Sequence, residues 1–108
     1  NAGRIKAKVV LEMANGPTAL EAEEILTSRG IEIIPDILAN SGGVVGSYFE
    51  WIQSLEGNYW SEETVLAKID AQLTQAFTAV REEKEKRRVS WRMACYIRAL
   101  TRVAEAMK

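Results

Sequence analysis

The apolar positions of this chain change period near residue 43. Before that point they form short β-branched runs separated by turns. Residues 8–13 (KVVLEM) are apolar enough to predict a buried strand, and Asn15-Gly16-Pro17 stops it. Thr18 and Glu21, three residues apart, have the spacing of a capping box, in which each side chain satisfies a free amide of the first helical turn. The helix so opened carries Ala22, Ile25 and Leu26 and ends at Gly30, since glycine tolerates the left-handed residue that closes a helix. Residues 31–35 (IEIIP) predict a second strand. Strand, helix and strand in so few residues make a βαβ unit, which requires a parallel pair.

After Gly43 the pattern is helical. Val44, Tyr48, Ile52 and Leu55 share one apolar face, and Gly57-Asn58 interrupts it. Ser61 suits the N-cap of the next helix, with Glu62 and Glu63 at the positive end of its dipole. Leu66, Ile69, Leu73, Phe77 and Val80 form its predicted stripe. The mixed stretch 81–88 ends it, with Glu82/Lys86 and Glu83/Arg87 spaced as ion pairs on a solvated helix end. A last helix is expected from about Ser90, with Met93, Ile97, Leu100, Ala104 and Met107 on one face. The fold class is therefore α/β, with a partial parallel sheet over residues 1–43 and a helical region over residues 44–108. Two strands with both edges open make a poor sheet by themselves, so further strands are expected outside these residues.

Composition narrows the functions open to such a chain. Hydrophobic residues at 47% and charged residues at 27% suit a folded domain. Fourteen basic and fifteen acidic residues leave a net charge of −1, which makes no electrostatic case for nucleic acid or a membrane surface. No apolar run approaches the ~20 residues that cross a bilayer. No signal-like segment points to export, and the single Cys95 cannot form an internal disulfide, so a reducing, cytoplasmic location is expected. Histidine is absent, which removes the commonest general base and metal ligand. No catalytic residue and no metal site is expected within the chain.

Candidate chemistry lies where the strands end. In open parallel sheets ligands bind beyond the carboxyl ends of the strands. Asn15 follows the first strand and Asn40 lies just past the second, so both should reach one crevice. A primary amide offers one acceptor and two donors, suited to a carboxamide or to ribose hydroxyls. The spacing alone equally allows Asn15 as a turn residue and Asn40 as a cap. Gly42-Gly43 opens a helix whose first amides are free for an anion, although Gly42, Gly43 and Gly46 lack the spacing of a dinucleotide fingerprint. Val44 and Ser47, three apart, share a face one turn further on; a helical serine can also simply bond back to a carbonyl. Trp51, Tyr59, Trp60 and Trp91 are read as packing residues, and Cys95 as a small packed side chain.

Three blocks carry a resemblance: Ala14-Asn15-Gly16-Pro17-Thr18, then Ile34-Pro35-Asp36-Ile37-Leu38-Ala39-Asn40-Ser41-Gly42-Gly43-Val44, then Ser47-Tyr48-Phe49-Glu50-Trp51. In order and separation they closely resemble the coenzyme-domain core of the glutamate dehydrogenases, within the wider amino-acid dehydrogenase family, and the likeness extends over nearly the whole chain. It implies a Rossmann-like sheet, NAD or NADP as cofactor, and the reversible oxidative deamination of glutamate to 2-oxoglutarate and ammonia. It also implies that Asn15, Gly16 and Asn40 border the nicotinamide half of the cofactor. Val44 would touch the aliphatic part of the substrate and Ser47 would bind its side-chain carboxylate, the balancing lysine lying in another domain. A homohexamer is expected, as in the relatives. Nothing here resembles the pyrophosphate-binding glycine turn or the domain bearing the catalytic lysines and aspartate. The expectation is a C-terminal piece of such an enzyme, inactive alone. Two departures stand out. Ala19-Leu20 replaces a frequent Thr-Pro, and Gly46 replaces a bulkier residue, so the helix start near Ser47 is expected to be looser. The rival readings are a non-catalytic helical interaction module and a dehydrogenase for an apolar amino acid.

Overall fold

The computed structural model describes all of residues 1–108. After a 3-10 turn at Ala2–Arg4 come β1 (Val9–Leu11), α1 (Leu20–Ser28) and β2 (Glu32–Ile34). The helical part follows: α2 (Asp36–Ala39), α3 (Gly42–Glu56), α4 (Glu62–Arg87) and α5 (Trp91–Ala106). The two strands pair in parallel with Val10 opposite Ile33, as the βαβ reading required.

Alternation along β2 explains why a three-residue strand can organise the molecule, because successive side chains point to opposite faces. Ile33 packs with Leu26 of α1, Ile31 and Ala2. Ile34 enters a second core with Leu38, Val80, Trp91, Ala94 and Cys95. The strand is thus covered by α1 on one side and by α4 and α5 on the other. Arg29, just past α1, donates to the carbonyls of Ala2 and Ile5 at 2.6 and 2.7 Å and holds the first turn in place.

Beyond these two cores the chain is open. Only 14 of 108 residues are buried. The radius of gyration is 16.4 Å, against about 13 Å for a compact domain of this length. The strand read as buried at residues 8–13 is only half covered, with Val9 and Leu11 exposed, because no neighbouring layer lies on that face. The apolar stripes of α3 and α5 are displaced for the same reason. Val44, Tyr48 and Leu55 of α3 and Met93, Leu100 and Met107 of α5 are exposed, while the buried positions are Phe49 and Gln53, and Trp91, Ala94 and Cys95. On α3 and α5 periodicity located an apolar face, but the contacts within this chain use a different one. On α4 the expected stripe is the one used, with Val80 buried, Phe77 stacked on Trp91, and Ile69 and Leu73 against the glycines of α3. No helix is long and apolar enough to cross a membrane.

Caps follow the sequence at three places and depart from it at one. Ser61 and Ser90 each accept from an amide three residues on, at 3.2 and 3.1 Å. Gly30 takes a left-handed φ of +74° after α1. The expected capping box is absent: Ala19 is the N-cap of α1, with no side-chain bond. Thr18 lies one residue too early to cap it.

Gly46 does not loosen α3, which runs unbroken from Gly42 to Glu56. Gly42 and Gly46, one turn apart, face α4: a Cβ would meet Leu73 Cδ1 at 3.3 Å from the first and Ile69 Cδ1 at 3.5 Å from the second. Gly57 ends the helix at φ +63°. Opposite effects of alanine follow. Gly46→Ala places its methyl in ordinary contact with Ile69 and should raise stability by about 0.5–1 kcal/mol through helix propensity. Gly57→Ala should lower it by about 1 kcal/mol, since the left-handed residue is strained with a Cβ. Urea unfolding midpoints check both signs.

Candidate functional site

The carboxyl ends of β1 and β2 lie side by side, and the loops leaving them meet. Asn40, the residue that closes α2, donates from Nδ2 to Asn15 Oδ1 at 2.7 Å and to the Met13 carbonyl at 3.2 Å. The two asparagines singled out by sequence are therefore one unit. Asn40 Oδ1 and the amino group of Asn15 make no hydrogen bond within the protein, so the pair leaves one carbonyl oxygen as acceptor and one amino group as donor. Gly16 stands beside them at φ +57°, and its amide donates to Asp36 Oδ2 at 2.8 Å. That amide is occupied, so Gly16 shapes the turn rather than offering a donor.

The start of α3 leaves unpaired donors. The amides of Gly42, Gly43 and Val44 find no backbone acceptor, and the first amide of this helix to do so is that of Val45, bonded to the Ser41 carbonyl at 3.0 Å. Val44 and Ser47 are both exposed on the opening turns. Ser54 of the same helix bonds back to the Glu50 carbonyl at 2.9 Å, whereas Ser47 forms no such bond and its hydroxyl is free. The bland reading of Ser47 as a back-bonded helix serine does not hold.

Sequence reasoning missed the cluster beneath this site. Glu12, the one charged residue within the apolar end of β1, is 2% exposed. A buried carboxylate needs a partner. Arg92 supplies it from the first turn of α5: its Nη2 lies 3.0 and 2.9 Å from the two Glu12 oxygens. The same guanidinium donates from Nε to both oxygens of Glu23 at 3.1 and 2.9 Å, and its Nη1 lies 3.5 Å from Asp36 Oδ1. Glu12 also accepts from the Asp36 amide at 3.0 Å, which closes the ring.

The electrostatics follow. Burial alone pushes the Glu12 carboxyl up, but the Thr18 hydroxyl, the Asp36 amide and Arg92 together bring it below the ordinary range. The Gly16 and Ile37 amides hold Asp36 down as well, with Arg92 adding to them. Arg92 remains a cation: burial opposes its charge, and its carboxylate partners outweigh that. Two signals in the sequence could have exposed the cluster, a lone Glu inside a strand and an Arg at the helix end where the dipole disfavours a cation.

A second polar contact escaped notice. Buried Gln53 accepts from the Trp60 amide at 2.6 Å and donates to the Phe49 carbonyl, fixing the α3–α4 connection beside the Phe49–Trp60 pair. The ion pair Arg87–Glu83 forms as expected, but Lys84 turns inward to Glu32 and lies over the Trp91 ring. Trp91 and Trp60 pack, whereas Trp51 and Tyr59 are exposed. Cys95 is buried, and that burial pushes its thiol up to about 11, which leaves no nucleophilic thiolate near neutral pH.

The class these features define is confirmed by comparison. The family model described as Glutamate/Leucine/Phenylalanine/Valine dehydrogenase matches residues 1–108, and the chain belongs to this family. It is 50% identical over 108 residues to the NAD-specific glutamate dehydrogenase of Staphylococcus aureus, covering all of this chain and 26% of that protein. The glutamate dehydrogenase structure from Peptoniphilus asaccharolyticus superposes with a TM-score of 0.93 at 44% identity, over 98% of this chain and 27% of its own. The hetero-hexameric glutamate dehydrogenase of Thermus thermophilus, in its Leu-bound form, superposes at 0.93 with 34% identity, over 97% of this chain and 25% of its own. The chain thus spans about a quarter of the length of the relatives it matches.

The cluster gives a pH-dependent test. Arg92→Met leaves three carboxylates facing one another and should destabilise the protein by about 3 kcal/mol near neutral pH. Glu12 and Asp36 titrate below the ordinary range in the wild type, so their contribution is present above the unfolded carboxylate value and is lost as pH falls through the folded one. Without Arg92 the repelling carboxylates prefer protonation. The deficit of the variant should therefore shrink on going from pH 7 to pH 4 in urea titrations. A deficit that is constant with pH would mean the arginine acts by packing alone.

Proposed function

We propose that this chain is the nicotinamide-side and substrate-side wall of a glutamate dehydrogenase, acting within a polypeptide about four times as long. The reaction is oxidative deamination of glutamate to 2-oxoglutarate and ammonia, with hydride passing to NAD. The observation that carries this reading is the bonded asparagine pair, whose one unpaired acceptor and one unpaired donor match the amino group and carbonyl of a carboxamide. Residues 1–43 supply that crevice, with Asn15 and Asn40 toward the nicotinamide and Gly16 setting the turn. Residues 44–108 begin with the substrate contacts, Val44 against the aliphatic chain and the free hydroxyl of Ser47 toward the side-chain carboxylate.

The choice of NAD over NADP is supported by the NAD-specific relative at 50% identity, and a hexameric assembly by the hetero-hexameric structural neighbour. General acid-base groups and the cation that balances the substrate carboxylate come from outside this segment, which has no histidine. The protein groups here bind and orient; they do not transfer protons.

Two substitutions in the full-length enzyme test the assignment. Asn40→Ala removes both bonds that fix the pair as well as the contact to the carboxamide. At roughly 0.5–1.5 kcal/mol per hydrogen bond, glutamate oxidation should fall by several-fold to a hundredfold, read from initial rates of NADH formation. Wild-type rates would make Asn40 a mere helix cap.

Ser47→Ala should act on selectivity. A hydroxyl bond to a carboxylate contributes roughly 1.5–3 kcal/mol, and an apolar amino acid makes no use of it. The ratio of kcat/KM for glutamate over norvaline should drop about ten- to a hundredfold. Equal losses for both substrates would reassign Ser47 to shaping the helix start. No loss for either would favour an apolar amino acid as the substrate.

A further inference from the structure

Asp36 lies between the ion cluster and the cofactor turn, and its two oxygens serve different ends of the molecule. Oδ2 accepts from the Gly16 amide at 2.8 Å. Oδ1 accepts from the Ile37 amide at 2.8 Å and faces Arg92 at 3.5 Å. Gly16 has a left-handed φ of +57°, and nothing but the Asp36 bond ties its amide. The next residue back, Asn15, is the acceptor for Asn40. A continuous path of contacts therefore runs from the first turn of α5, through Arg92 and Asp36, to the asparagine pair.

We propose that Asp36 is the positioning residue of the nicotinamide-side turn, and that Arg92 holds it there from α5. This rests on the reading of Asn15 and Asn40 as cofactor contacts. Neither Asp36 nor Arg92 touches the cofactor. Asp36 sets the Asn15-Gly16 turn in the conformation where the amide of Asn15 meets Asn40. Arg92 has a separate task for each part of its guanidinium: Nε on Glu23, Nη2 on Glu12 and Nη1 on Asp36. A lysine there keeps the charge but cannot match this planar three-way geometry. The Asp36 amide bonded to Glu12 fixes the start of α2 from the other side, so carboxylate and backbone of Asp36 are held together.

The experiment compares Asp36→Asn, Arg92→Lys, Asn40→Ala and the control Glu83→Gln in the full-length enzyme. Glu83 pairs with Arg87 at the far end of α4 and should leave activity unchanged. A looser turn binds cofactor less well without changing the chemical groups. Asp36→Asn should raise KM for NAD about tenfold, with KM for glutamate within about twofold and kcat within about threefold. Arg92→Lys should give a smaller rise of the same kind. Hydrogen exchange of the Gly16 amide should quicken at least tenfold in Asp36→Asn, while the β2 amides keep their protection. A purely structural role would lower the active fraction, and so kcat, without this selective change in KM. If Asp36→Asn does not fold, Arg92→Lys decides on the same two readouts. Unchanged KM for NAD and unchanged Gly16 exchange, alongside a damaged Asn40→Ala, overturn the positioning role and leave the cofactor reading standing. If Asn40→Ala is also fully active, both fall together.

Discussion

The carboxylate of Glu12 is buried at the end of β1, and the rest of the arrangement depends on how that charge is met. An ionised carboxylate out of water is tolerated only with a cation and donors around it. Arg92 is that cation, and it comes from a helix 80 residues further along the chain. Glu12 directly follows β1, Glu23 belongs to α1, Asp36 to α2 and Arg92 to α5, so one guanidinium joins all four parts of the chain. The apolar cluster that includes α5 has only six buried residues, Ile34, Leu38, Val80, Trp91, Ala94 and Cys95. The guanidinium adds directional, charge-assisted contacts between α5 and the three carboxylates.

Such a cluster is weak evidence for stability, because desolvation offsets much of the Coulomb gain and apolar groups of the same shape can do as well. Its contribution is geometric. Asp36 has one oxygen in this cluster and the other on the Gly16 amide. The position of α5 and the shape of the turn bearing Asn15 are thereby coupled.

How much of this the sequence made legible depended on the range of the interaction. Local signals were readable: the parallel βαβ unit, Gly30 and Gly57 at helix ends, Ser61 as a cap and the start of the last helix near Ser90. Asn15 and Asn40 were also found, because strand ends in a parallel sheet converge and each asparagine follows one. The capping box failed by one residue, since the first turn of α1 begins at Leu20 and places Ala19, which has no side-chain acceptor, at the N-cap. The stripe of α4 held, with Val80 buried and Phe77 stacked on Trp91, whereas those of α3 and α5 failed for a different reason. Periodicity reports that a helix has an apolar face, not what covers it. Met93, Leu100 and Met107 form a true stripe on α5, yet the face used here is that of Trp91, Ala94 and Cys95, because it is the one turned toward β2. The three-carboxylate cluster was missed because its members lie up to 80 residues apart; Glu12 in an apolar run and Arg92 at a helix start are each unusual, but nothing local pairs them.

The asparagine pair shows why such support matters to a binding site. A free asparagine amide samples several orientations, and a ligand that needs one of them must bear the cost of selecting it. Asn40 gives both of its bonds to acceptors that are already fixed, the Met13 carbonyl at the strand end and Asn15 in the turn. Those two bonds restrict the direction of its remaining oxygen, and the Asn15 amino group is left unpaired. In the proposed reading this orientation precedes the ligand, so more of the interaction energy would remain for affinity. That holds only while the turn itself does not move. With glycine at its centre, the turn has little stiffness of its own, and the carboxylate of Asp36 provides the constraint that the glycine lacks.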